Sequence, residues 1–468
     1  MSYIVTIFKF NKNEVILHEG REKMGFQTLR KSHLKRNIII EVAAVAIISA
    51  CILTFTRAKY RTTQSIPLVN GTINYTLADL NIVAIYVDNE EVETLPSGNY
   101  ELTSESYCTV NNERDDSINL SYDSDTQTLS ISPMENKGTK CYLYFEEQKS
   151  AIDVILANST RGSGTPNFAN TSCSNGTNNG SNCDEATVGL YEGEENGETI
   201  YYFRGDVDDN WVSFAGFYWR IIRTNSDGSI RMIYAGTDPN ITTGEGTQIQ
   251  TSAFNSTYNA SYYVGLKYST SQHGTTTNST IMGILNTWYT SNLASYASEL
   301  TSGTGFCGDR EMTSGYSWSA TPSSDIFYAG YGRLVQNSSN VMPTFDCSNS
   351  SDLYTTSGTG SGNGALQYPI GLITADEVIY AGMSWSGGTT DNYLYTNQAY
   401  WTISPYSFGV GSSNGWAYVF VVDSAGYLYG NNWVHISYGV RPVINLRADV
   451  SLTGTGTSSD PYTVTLTN

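Results

Sequence analysis

The sequence predicts an α+β protein with three parts: an N-terminal membrane helix, a small β-sandwich module and a large mixed domain. Three observations lead there. One apolar run, residues 37–56, has basic residues on both sides. Short alternating strands separated by turn residues fill residues 62–148. Residues 185–450 combine long aromatic strands with two helix-start signatures.

The charge is divided along the chain. Residues 1–61 carry a net charge of +7 and the remainder −26. An acidic bulk repels phosphates, so no nucleic-acid partner is expected. It suits a soluble region outside a cell. Residues 37–56, NIIIEVAAVAIISACILTFT, have the length of a helix that spans a bilayer. Their one charge, Glu41, lies near an end, where a side chain snorkels to the interface. Eight basic residues precede this run and three follow it (Arg57, Lys59 and Arg61). That asymmetry places the basic arm, residues 1–36, in the cytoplasm and the bulk outside, in a single-pass cell-membrane protein. An uncleaved signal anchor is expected, because the arm is too long for an ordinary signal peptide. Two other readings stay open. ISAC (residues 48–51) resembles a lipobox with Cys51 as the lipidated residue. IIIEVAAVAII resembles a prepilin segment, although Arg36 stands where that family has a small residue.

The cysteines agree with export. Cys108, Cys141, Cys173, Cys183, Cys307 and Cys347 form an even set outside the apolar run. Their connectivity is open from sequence, and neighbourhood suggests 108–141, 173–183 and 307–347. No Cys/His spacing indicates zinc.

In residues 62–148, INYTLADLNIVAIYVD and TQTLSIS read as strands. Residues 149–157 form a short amphipathic helix candidate. Residues 158–184 are rich in Gly, Ser, Asn and Thr and read as a linker, so 149–184 is expected to connect two folded parts. The large domain opens with GETIYYFRG, VSFAGFYWRIIRT and SIRMIYAG as three strands, the last two joined by a hairpin at Asn225-Ser226-Asp227-Gly228. Ile281, Ile284, Leu285, Trp288 and Tyr289 recur at helical spacing after Asn278 and Ser279. Thr374 to Glu377 is a capping box. Residues 385–399 and 409–415 read as loops. WAYVFVV and YLYG flank a second hairpin at Asp423-Ser424-Ala425-Gly426, and residues 451–468 read as a C-terminal tail.

WRIIR (residues 219–223), YWTISPYSF (400–408) and YGVRPVINL (438–446) together carry a resemblance. The chain resembles the uncharacterised domain of membrane-anchored Gram-positive surface proteins, which is similar to the C-type-lectin-like fold of formylglycine-generating enzymes. The resemblance implies a C-type-lectin-like domain over residues 185–450, with SFAGFYWRII near RPVINL and Trp401 in the core. The enzymes of that superfamily use a cysteine pair, but Cys307 and Cys347 sit in no matching motif. The Glu-Pro-Asn and Trp-Asn-Asp calcium motifs of true C-type lectins do not occur. No catalytic activity is carried over.

Function is expected at a binding surface. Tyr393, Tyr395, Tyr406, Trp416, Tyr427 and Trp433, with His435, lie in or beside Gly/Ser/Asn-rich segments, the composition of adaptable recognition surfaces. Aromatics also dominate β cores, so some of these are expected inside. His435 lacks the serine elbow that nucleophilic catalysis would require, and no catalytic residue is assigned. Asp206, Asp208 and Asn210 alternate as in calcium loops but lack the Gly and bidentate Glu of an EF-hand. Calcium is thus the only cofactor the sequence suggests. The expected role is a membrane-anchored extracellular binding or adhesion protein for a glycan or protein. A surface-polymer or thiol-modifying enzyme and a pilin-like subunit are the alternatives.

Overall fold

A computed structural model describes residues 64–67, 80–95, 100–124, 126–133, 138–173, 183–357, 362–411 and 415–466. It divides into two compact units, residues 1–96 with 102–145, and residues 97–101 with 146–468. The expected membrane segment, residues 37–56, lies outside the described residues, as does Cys51.

The α+β expectation is corrected. The protein is mostly β, 38% strand against 13% helix, and its strands form several sheets. Three of the described helices fall where local sequence signals place them, but they are short. The longest described helix, Thr280–Asn292, has 13 residues. No described helix is long and apolar enough to cross a membrane.

The first unit contains two sheets. In one, Thr128–Ser132 lies between Gln64–Pro67 and Asn119–Asp123. In the other, Leu80–Val87 runs parallel to Thr139–Glu147, which pairs antiparallel with Tyr107–Val110. Alternation puts Leu129 and Ile131 inside from one sheet, and Cys141, Leu143 and Phe145 from the other. Tyr122 meets Phe145 edge-on, joining the two. Cys108 and Cys141 stand directly opposite on neighbouring strands, and their disulfide crosslinks that pair.

The second unit holds an eight-stranded and a six-stranded sheet. In the larger sheet, Ile230–Gly236 pairs on one side with Phe217–Thr224 and on the other with Val443–Leu446. The RPVINL segment therefore approaches FYWRII through an intervening strand. VSFAGFYWRIIRT, expected as one strand, is a hairpin: Trp211–Phe214 pairs back on Phe217–Thr224. Ala215 (φ 57°) and Gly216 (φ 79°) occupy the two central turn positions, where successive positive φ values give the twist hairpins require. The Asn225 and Asp423 hairpins form as expected, closed by Gly228 and Gly426 with φ near 80°.

Three of the described helices follow their sequence signals. Ser279 caps Thr280–Asn292, which buries Ile281, Met282, Leu285 and Tyr289 along one side. Thr374 and Glu377 make both bonds of the capping box before Ala375–Tyr380. Ala151–Asn158 is capped by Ser150.

Two segments make contacts that their composition did not imply. The linker is anchored where Asp184 pairs with the buried Arg204 at 2.7 Å, and the Cys173–Cys183 disulfide closes a loop beside it. The expected tail supplies Val450–Thr453 and Tyr462–Leu466. The second runs parallel to Trp211–Phe214 and completes the large sheet, with Tyr462 wholly buried. Trp219 and Trp401 are also fully buried, their indole N–H groups donating to the carbonyls of Phe214 and Ser252.

Candidate functional site

Four of the seven residues singled out from sequence, Tyr406, Trp416, Trp433 and His435, gather in ring stacks at the six-stranded sheet. Three of its strands, Tyr400–Gly409, Trp416–Val422 and Leu428–Trp433, pair in sequence order. In LYGNNW, Leu428, Gly430 and Asn432 are buried while Tyr429, Asn431 and Trp433 are exposed, as strand alternation requires. Tyr418 stands opposite Trp433, and Trp416 opposite Gly409.

The rings form two ladders. In the first, Trp385 lies between Tyr406 and Tyr429, with ring centroids 5.7 Å and 5.6 Å away and interplanar angles of 13° and 8°. In the second, Trp433 stacks on Trp416 at 5.6 Å and on His435 at 5.5 Å, and His435 meets Tyr258 at 4.3 Å. Offset stacks of this kind hold rings in fixed planes. Gly430 permits the first ladder: a Cβ there would lie 2.1 Å from the Tyr406 ring.

Beside the first ladder opens a cleft of about 330 Å³, within the size range of small-ligand sites. Trp385, Tyr406, Tyr418 and Tyr429 give it apolar faces, and Asp325, Ser407 and Asn431 give it polar ones. The N–H of Val410 donates to Asp325 Oδ1 at 2.7 Å and fixes that rim. Burial, reinforced by the neighbouring Tyr331 and Tyr429, pushes the Tyr406 phenol up to about 12. The phenol is therefore neutral at any physiological pH.

Of the residues singled out from sequence, Tyr406, Trp416, Trp433 and His435 enter these ladders. Tyr393, Tyr395 and Tyr427 do not. Tyr393 is buried with its ring against the Arg220 guanidinium. Tyr395 packs on the core, and its hydroxyl reaches Asn397. Tyr427 follows the Asp423 hairpin and covers Gly388. Sequence reasoning missed Trp385, Tyr418, Tyr429 and Asn431. The alternation of LYGNNW contained the signal for Tyr429 and Asn431, whereas nothing local marks Trp385, which arrives from a loop.

In the loop considered for calcium, Asn210 is buried and its Oδ1 accepts from Arg220, while Trp211 donates to Asp208 Oδ1 at 3.1 Å. Asp206 is exposed. Among the described residues no group of three or more His, Cys, Asp or Glu side chains is placed to hold a metal ion. All three disulfides suggested by cysteine neighbourhood are formed. Comparison with known proteins finds no family model, curated protein or solved structure that matches this chain.

Proposed function

We propose that this protein is an exported, non-catalytic binding protein whose aromatic face takes a glycan. The observation that carries this reading is the pair of ring ladders, exposed at Tyr429 and Trp433, beside a cleft edged by Asp325, Ser407 and Asn431. Flat aromatic surfaces pack on the apolar faces of sugar rings, and a few polar groups at the edge fix orientation through hydroxyls. The rings are already held by their neighbours, so little side-chain freedom is lost on binding. Three disulfides support an oxidising compartment outside the cytosol. A protein partner is the second reading. It is favoured by Val410 and Ile436, which are 39% and 36% exposed on segments flanking the ladders.

Glycan arrays probed with the full chain, Trp385→Ala and Trp433→Ala test the proposal. Binding to a defined glycan class, lost in either variant, is the expected result. If the wild-type chain binds no glycan above background, or binds one that both variants bind equally, the glycan reading fails.

A further inference from the structure

A second cavity in the same unit is unlike the aromatic cleft. It encloses about 260 Å³, close to the lower limit for small-ligand sites and roughly the room of nine waters. Its walls come from the strands carrying Glu195, Arg223 and Arg231, from the segments around residues 303–309 and 344–350, and from the first turn of Ala375–Tyr380. The Cys307–Cys347 disulfide ties two of these walls together.

Three guanidinium groups and six carboxylates line it, the acids being Glu195, Asp227, Asp309, Asp346, Asp376 and Glu377. Every guanidinium is already matched. Arg223 contacts Glu195 at 2.9 Å and Glu377 at 3.0 Å, and Arg231 contacts Glu377 at 2.6 Å. Arg333 contacts Asp309 at 2.7 Å and Asp376 at 2.9 Å. The lining therefore keeps an excess of three negative charges, and each of its guanidinium groups already faces a carboxylate.

Three lining atoms lack a hydrogen-bond partner among the described residues: Asn225 Oδ1, Arg231 Nε, which still faces Glu377 as an ion pair, and Asp309 Oδ1, which is the one carboxylate oxygen of the three. Asp309 is only 8% exposed and lines the cavity. Its Oδ2 accepts from Arg333, but among the described residues its Oδ1 has no hydrogen-bond partner. A buried carboxylate oxygen without a donor is costly, and native folds rarely leave one. Burial raises the Asp309 carboxyl above its ordinary range even though Arg333 pulls it down. A positively charged N–H donor would satisfy the oxygen and offset the excess charge together.

We propose that this cavity is a second binding site, for a small organic ammonium ion. An ammonium group carries several N–H donors and a compact charge. A neutral polyol brings donors but no charge. A hard divalent cation needs a cage of converging oxygens, and no such cluster occurs among the described residues. The volume restricts the ligand to a compact amine of short-diamine size.

Calorimetric titration of the full chain at fixed ionic strength tests this, with 1,4-diaminobutane, its neutral counterpart 1,4-butanediol, and calcium chloride as probes. Saturable diamine binding with Kd below about 1 mM, and none by the diol, is expected. Asp309→Asn should weaken diamine binding at least about tenfold, the size of effect a charge-assisted hydrogen bond supplies. If Asp309→Asn does not fold, Asp346→Asn and Asp227→Asn carry the test. Both side chains are exposed, and each variant should weaken binding about threefold at low salt. Equal binding of diamine and diol, binding of calcium alone, no diamine binding by the wild-type chain, or unchanged affinity in the variants that fold overturns the proposal.

Discussion

Replacing Glu377 with Gln isolates the electrostatic centre of the second unit. Glu377 is 2% exposed. Its Oε1 faces Arg223 Nε at 3.0 Å and Arg231 Nε at 2.6 Å, and its Oε2 accepts the Thr374 N–H at 2.9 Å. Gln at this position still completes a capping box, so the helix start is preserved and chiefly the charge is lost. Arg223 keeps Glu195 as a partner. Arg231 is left with the Gly305 carbonyl and Asn445 Oδ1, and no carboxylate. Breaking a buried pair from one side costs about 3–5 kcal/mol. For a unit of this size that lowers Tm by roughly 4–7 °C. Burial alone would raise the Glu377 carboxyl, but Arg231 and Arg223 outweigh it and hold it below the ordinary range. Its folded pKa is thus depressed. Its contribution is complete above the ordinary glutamate pKa and is lost as pH falls through the folded value. Thermal melts of the two proteins followed by near-UV circular dichroism should differ most near pH 7 and converge in acid. A Tm difference under about 2 °C at pH 7 would refute the assignment of Glu377 as the carboxylate that holds these arginines.

Four further outcomes are expected. Trp385→Ala removes both stacking contacts of the first ladder and should cost at least about 2 kcal/mol of ligand affinity, near thirtyfold, read as the ratio of Kd values for whichever array glycan binds best. Gly430→Ala forces the Tyr406 ring away and should lower stability by about 1–3 kcal/mol, measured by urea unfolding, while weakening binding as Trp385→Ala does. Removing the Cys307–Cys347 disulfide, which closes a separation of 40 residues, should cost about 4 kcal/mol, seen as a lower urea midpoint for the double Ser variant. Ultraviolet titration should show the Tyr406 phenol ionising only at about pH 12. Because its folded pKa is raised, the stability it gives is complete below the ordinary tyrosine pKa and is lost as pH rises through the folded value.

The turns and caps of this fold were legible because each rests on a few adjacent residues. Asn225 to Gly228, Asp423 to Gly426 and the Thr374 capping box required nothing beyond local chemistry. The Ala215-Gly216 turn escaped because Ala seldom adopts positive φ, so an apolar run concealed a hairpin. The tail was misjudged for a different reason. TGTGTSSD has the composition of a loop, yet it leads into a strand whose partner begins at Trp211, and only that remote pairing buries Tyr462. The predominance of strand was hidden similarly. A helix announces itself within a dozen residues, while a sheet's extent depends on which distant strands find one another.

Aromatic richness could not by itself separate scaffold from surface. Trp401 and Trp433 stand in similar sequence surroundings, but the first is fully buried and the second is 40% exposed. The difference lies in what flanks each strand. Tyr400–Gly409 is covered on both faces, so alternation disappears and nearly every residue is buried. Leu428–Trp433 lies at the end of the strand order, where alternation persists and every second residue is exposed. An exposed aromatic face follows directly from that position in the sheet. Its polar rim and its central ring still come from elsewhere: Asp325 precedes the short strand Ile326–Phe327, and Trp385 lies in a loop. A face assembled from separated segments is presented by no single segment, and for the same reason no single segment announces it.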